Sequence, residues 1–100
     1  MTAPTGEELR EALRDVFDPE LGYNIVDLGL IYDITVEDRR AAITMTMTTP
    51  GCPAVEMIRN GVFERASAVP GLTEVAVDVV WDTPWNADRM SAAAKAHFGM

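Results

Sequence analysis

Hydrophobic positions in this chain repeat with two different periods, and each change of period marks a new element. Leu9, Leu13, Val16 and Phe17 stand at i, i+4, i+7 and i+8, the stripe of an amphipathic helix. Thr5 and Glu8 are spaced as a capping box at its start. Asp18-Pro19 ends it, because proline disfavours helical geometry in the residue before it. A helix over 6–17 is predicted. From Leu30 the period falls to two: Leu30, Tyr32, Ile34 and Val36 alternate with Ile31, Asp33, Thr35 and Glu37. Ala41, Ile43, Met45 and Met47 then alternate with Ala42, Thr44, Thr46 and Thr48. These are two strands, and the short connection between Glu37 and Arg40 makes them a hairpin. One sheet face is aliphatic; the other is a threonine ladder, suited to solvent or to a partner.

The helical period returns at Val55, Ile58, Val62, Ala66 and Val69 and stops at Pro70-Gly71. Gly61 interrupts this stripe, weakening the helix by roughly 1 kcal/mol relative to alanine or letting a neighbour pack close. Val75, Val77, Val79 and Trp81 restore the period of two, with Trp81 on the core side by parity. A last short helix, 87–98, is capped by Asn86 and has Met90, Ala94 and Phe98 as its apolar edge. The order is helix–strand–strand–helix–strand–helix. A helix between the second and third strands implies a crossover and a parallel pair. The fold class is α+β: a two-layer sandwich with a small mixed three-stranded sheet and its helices on one face. One hundred residues make a single domain, 1–100, ordered over about 6–98.

Between the first helix and the hairpin lies "DPELGYNIVDLG", Asp18 to Gly29. Its Pro, Gly, Asn and Asp residues read as a structured loop with a turn at 25–28. Ile25, Val26 and Leu28 favour packing, and a loop of this length in a small domain is functional or loose.

Composition narrows the function classes. Hydrophobic residues are 48% of the chain, which suits a globular fold rather than disorder. Eight basic against sixteen acidic side chains give a net charge of −8. That excludes nucleic acid and anionic membrane as natural partners, since both need a basic face. No apolar run approaches the ~18–20 residues of a membrane span. The amino terminus lacks the basic start and apolar core of a signal peptide, so a cytoplasmic address is expected. A core this thin makes a homodimer a reasonable expectation.

The candidate chemistry sits in "TTPGCPAVEMI", Thr48 to Ile58, which holds the only cysteine. One cysteine forms no internal disulfide. Pro53 suits the first position of a helix, which would put Cys52 at the N-cap. The first amides of a helix lack internal partners and carry about half a positive charge. A thiolate there accepts those N–H groups, and such cysteines fall from a pKa of ~8.5 to about 3.5–7.5. Gly51 would allow a tight turn and Pro50 a stiff approach. A lone cysteine is also commonly a small buried hydrophobe, so on the residues alone a reactive thiol and an inert one both stand. Asp18, Glu20, Asp27, Asp82 and His97 are the other groups that could cooperate. No zinc spacing, phosphate loop or serine elbow is present. A cluster normally takes four cysteines, so one chain cannot hold it alone. Trp85, after Pro84, either caps the core or forms a partner contact.

The segments "DPELGYNIVDLGLIYDI", "MTMTTPGCP", "VPGLTEVAVDVVWDTPW" and "DRMS", in this order, resemble the metal–sulfur cluster biosynthetic domain family, with its SufT-like and PaaD-like members. The likeness runs from about Leu9 to Phe98. It implies a small α+β fold and an accessory factor in iron–sulfur protein maturation that is not an enzyme. Its partners would be iron–sulfur client or assembly proteins. It implies no tightly bound cofactor, only a transient iron–sulfur cluster or iron. The family's reactive cysteine maps onto Cys52, which the resemblance makes the metal ligand, within the corner Thr49, Pro50, Gly51 and Pro53. Its acidic and amide positions map onto Asp18, Glu20, Asn24 and Asp27, expected near Cys52. PaaD-like members resemble this domain plus a cysteine-bearing extension. The chain stops at Met100 without one, so the stand-alone SufT-like form is expected. The alternatives are a non-catalytic adaptor subunit of an oxygenase-type complex and a thiol-dependent enzyme, with Asp27 or Glu20 orienting a base or water.

Overall fold

A computed structural model describes residues 3–48, 54–82 and 84–99. Helix α1 spans Gly6–Leu13, β1 Phe17–Asp18, β2 Tyr23–Asn24, β3 Ile31–Glu37, β4 Arg40–Met45, α2 Val55–Ser67 and β5 Glu74–Val79; a single 3-10 turn at Ala87–Arg89 precedes α3, Ala92–His97. The main sheet has the order β3-β4-β5, with β3 antiparallel and β5 parallel to β4. This is the mixed three-stranded sheet that the pattern predicts. The hairpin closes on Asp38 and Arg39, at φ of 51° and 64°. Two consecutive left-handed residues give the turn whose twist matches that of the flanking strands.

The capping box of α1 forms as its spacing predicts: the Thr5 hydroxyl accepts from the Glu8 amide, and the Glu8 side chain accepts from the Thr5 amide. Leu9 and Leu13 are buried completely. The helix ends four residues sooner than predicted. Phe17 belongs to β1 instead, pairing with Asn24, and is 55% exposed. Pairing with β2 requires extended backbone at Phe17, and that takes it off the helical stripe. The loop therefore takes part in a small hairpin, two residues to each strand, that its composition did not reveal.

Ile58, Val62 and Ala66 bury the predicted stripe of α2. Gly61 answers to the packing alternative: a Cβ there would meet Val16 Cγ1 at 3.3 Å. The first backbone bond of α2 runs from the Ile58 amide to the Ala54 carbonyl, so Ala54 holds the N-cap, two residues after the predicted Cys52.

Three further expectations change. Thr46 is not on an open face; it is fully buried and donates its hydroxyl to the Val80 carbonyl at 2.7 Å. It lies just beyond the end of β4, where the carbonyl after β5 needs a donor. Trp81 is 41% exposed rather than core, because β5 ends at Val79 and the alternation ends with it. The last helix is split: Met90 takes extended backbone, and Ser91 caps α3 by accepting from the Ala94 amide. Asn86 caps the first piece, as predicted, by accepting from the Asp88 amide.

Candidate functional site

The loop from Asp18 to Gly29 is built by its own polar side chains. Asp18 Oδ1 accepts from the amides of Glu20 at 2.8 Å and Leu21 at 3.3 Å, while its carbonyl accepts from Gly22 at 2.7 Å. Those bonds satisfy a carboxylate that is only 2% exposed. Gly22, at φ 68°, completes the reversal. Asn24 begins the next turn: its Oδ1 accepts from the Asp27 amide at 2.8 Å, and its Nδ2 donates to Asp27 Oδ2 at 2.8 Å. The same Oδ2 accepts from Arg14 Nη1 at 2.6 Å. The Asn24 amide holds the Asp27 carboxyl below the usual carboxylate range, with Arg14 and Ser91 acting in the same direction against the cost of burial. Asp27 is thus an anion at neutral pH, 14% exposed, and its charge is matched by Arg14.

A strap from the end of the chain lies over this loop. Trp85 donates its indole N–H to the Leu28 carbonyl at 2.7 Å, and the Ser91 amide donates to the Asp27 carbonyl at 2.7 Å. Between them Arg89 passes close to Gly29: a Cβ at that glycine would lie 2.2 Å from the Arg89 carbonyl oxygen. Gly29 has φ 81°, so it answers both to close approach and to left-handed backbone. The Arg89 guanidinium sits 4.5 Å from the centre of the Tyr32 ring.

The loop leads directly to the approach of the cysteine corner. Leu30 follows Gly29, and its carbonyl accepts from the Thr46 amide at 2.9 Å. The Val80 amide donates to the Met45 carbonyl at 2.8 Å, so both neighbouring segments pin the end of β4. Cys52, Thr49, Pro50, Gly51 and Pro53 lie outside the described residues. The predicted proximity of Asp18, Glu20, Asn24 and Asp27 to Cys52 therefore lies outside them too.

The structure brings Asn24 and Asp27 together and sets Asp18 apart in its own turn, with Glu20 on the surface. Trp85 is half-buried against the core. Sequence reasoning did not find Arg14 or Ser91. Arg14 is thirteen residues from Asp27, and no local spacing signals that pair. Among the described residues, no group of three or more His, Cys, Asp or Glu side chains is placed to hold a metal ion. No helix among them is long and apolar enough to cross a membrane.

Residues 6–79 match the family described as iron-sulfur cluster assembly protein. The chain belongs to that family. Within this iron–sulfur assembly family, the chain is 42% identical over 95 residues to the Fe-S protein maturation auxiliary factor YitW of Bacillus subtilis, covering 94% of this chain and 93% of the relative. It is 40% identical to the Fe-S protein maturation auxiliary factor SufT of Staphylococcus aureus, over 85% of this chain and 98% of that protein. The fold matches a solved domain of unknown function from Bacillus anthracis with a TM-score of 0.89 at 45% identity, covering 94% of this chain and 91% of that one. The SufT-like resemblance drawn from the motifs is thereby shown for the family and for the fold. The bonds of Asp18, Asn24, Asp27 and Gly29 give those motif positions a physical job: they shape the loop and seat the strap.

Proposed function

We propose that this protein is an accessory factor in the maturation of iron–sulfur proteins. It binds client or carrier proteins, and Cys52 makes transient contact with iron or cluster as cargo. It turns over no small substrate of its own. The observation that carries the reading is the family match over residues 6–79, which includes the cysteine corner, together with relatives named as maturation auxiliary factors at 40–42% identity. The start of α2 supports it. Its N-cap is Ala54, which has no side-chain acceptor, so the N-cap side chain satisfies none of the first-turn amides. Cys52 stands two residues earlier in the chain, and the reading takes its thiolate to reach those amides and the positive end of the helix.

The acidic loop plays a supporting part. Asp27 holds its charge and its partners, and the strap holds Asp27. The loop presents a fixed surface beside the end of β4 rather than a free acid or base.

The test is maturation of an iron–sulfur enzyme by cells carrying the wild-type chain or Cys52→Ser. The variant keeps the circular dichroism of the parent and fails to restore the client's activity. Full restoration by the serine variant would remove the thiol from the function.

A further inference from the structure

Strand β5 has one satisfied edge and one open one. It pairs with β4 on one side, and among the described residues no strand lies on the other. The Val80 amide donates to Met45 and the Val80 carbonyl accepts from Thr46, so the backbone groups of Val80 face β4. Alternation then turns the N–H and C=O groups of Val75, Val77 and Val79 toward the open edge. Those donors and acceptors have no strand partner among the described residues, and they form a template for another strand.

Side chains beside this edge say what kind of strand fits. On the helix side, Phe63 is 48% exposed and flanks β5 with Arg59 and Asn60 around a cavity of about 430 Å³. On the other face Glu74 and Asp78 are exposed, with Ala76 between them. An added strand would place alternate side chains against Phe63 and beside the two carboxylates.

We propose that the open edge of β5 binds an extended segment of a partner protein in which basic and apolar residues alternate. The apolar set packs on Phe63, and the basic set meets Asp78 and competes with Arg40 for Glu74, the two lying 3.3 Å apart. Charge selects this occupant over a second copy. Two copies paired antiparallel about Ala76 would set Glu74 directly opposite Asp78, and like charges so placed are destabilising. Registers centred on Val75 or Val77 still bring four carboxylates onto one face, and Arg40 offsets only the Glu74 of each copy, since Asp78 has no ion pair among the described residues. The net charge of −8 opposes self-pairing further. The proposal is independent of Cys52.

The experiment titrates an acetylated, amidated heptapeptide, Lys-Val-Lys-Val-Lys-Val-Lys, into the 15N-labelled full chain. Expected are saturable shifts concentrated at the amides of Val75, Val77 and Val79 and slower hydrogen exchange at those three. The peptide with Glu in place of Lys does not bind. Asp78→Lys, an exposed substitution, weakens binding at least about threefold. Val75→Pro removes an outward N–H without touching the bonds to β4, and weakens binding further at unchanged circular dichroism. Shifts spread over the whole acidic surface, or binding indifferent to both variants, would overturn the proposal. So would a concentration-dependent dimer that protects the three amides without peptide, since the edge would then be taken by a second copy.

Discussion

The indole N–H of Trp85 lies 2.7 Å from the carbonyl of Leu28, across 57 residues of sequence. Leu28 is fully buried, and this bond anchors the strap at one end while Ser91 anchors it at the other. Trp85→Phe keeps most of the ring and removes the donor. The Leu28 carbonyl loses its partner, so the variant should lose about 1–3 kcal/mol, read as a lower urea midpoint at an unchanged slope.

Gly29 and Gly22 make a matched pair for testing the close approach. Both have positive φ, 81° and 68°, but a Cβ at Gly22 meets nothing within 4 Å. Gly22→Ala should therefore cost only the backbone penalty, about 1–2 kcal/mol. Gly29→Ala adds a clash with the Arg89 backbone and should cost more than about 2 kcal/mol, or displace the strap. Equal losses in thermal or urea unfolding would mean that the strap does not press on the loop.

Asp27 links stability to pH. Its carboxyl is held below the ordinary carboxylate range, chiefly by Asn24. A group depressed in the folded state contributes stability above its unfolded pKa, and loses it as pH falls through the folded value. Acid should thus weaken the wild-type protein below the normal carboxylate range. Asp27→Asn should be less stable at neutral pH and show a flatter acid limb. Urea midpoints measured across that range check both statements.

Much of the fold could be read from periodicity alone. Leu9 and Leu13, Ile43 and Met45, Ile58 and Val62 are buried where the two periods place them, because side-chain direction follows directly from helix and strand geometry. The misses share a cause: each depends on a partner distant in sequence. Thr46 has the parity of an open face but is claimed by Val80; Phe17 has the phase of a helix but pairs with Asn24. Trp81 lies past the last β5 residue, where parity no longer applies. In the site, a turn over 25–28 was visible in the residue types, although the Asn24–Asp27 bonds that close it were not. The Arg14 contact and the strap were not, because no spacing rule reaches thirteen or fifty-seven residues.

The buried Thr46 offers a check on the end of β4. Thr46→Val keeps the shape and strands the Val80 carbonyl, so it should lower stability by about 1–3 kcal/mol. No loss in chemical denaturation would show that this carbonyl finds water instead.

The reactivity of Cys52 carries the functional account, and the chain has no second thiol to confuse its signal. Its alkylation rate by iodoacetamide, followed by mass spectrometry from pH 4 to 10, reports the thiolate fraction directly. A midpoint between about 4 and 7.5 is predicted; a midpoint at or above the free-thiol value of ~8.5 would contradict an activated sulfur.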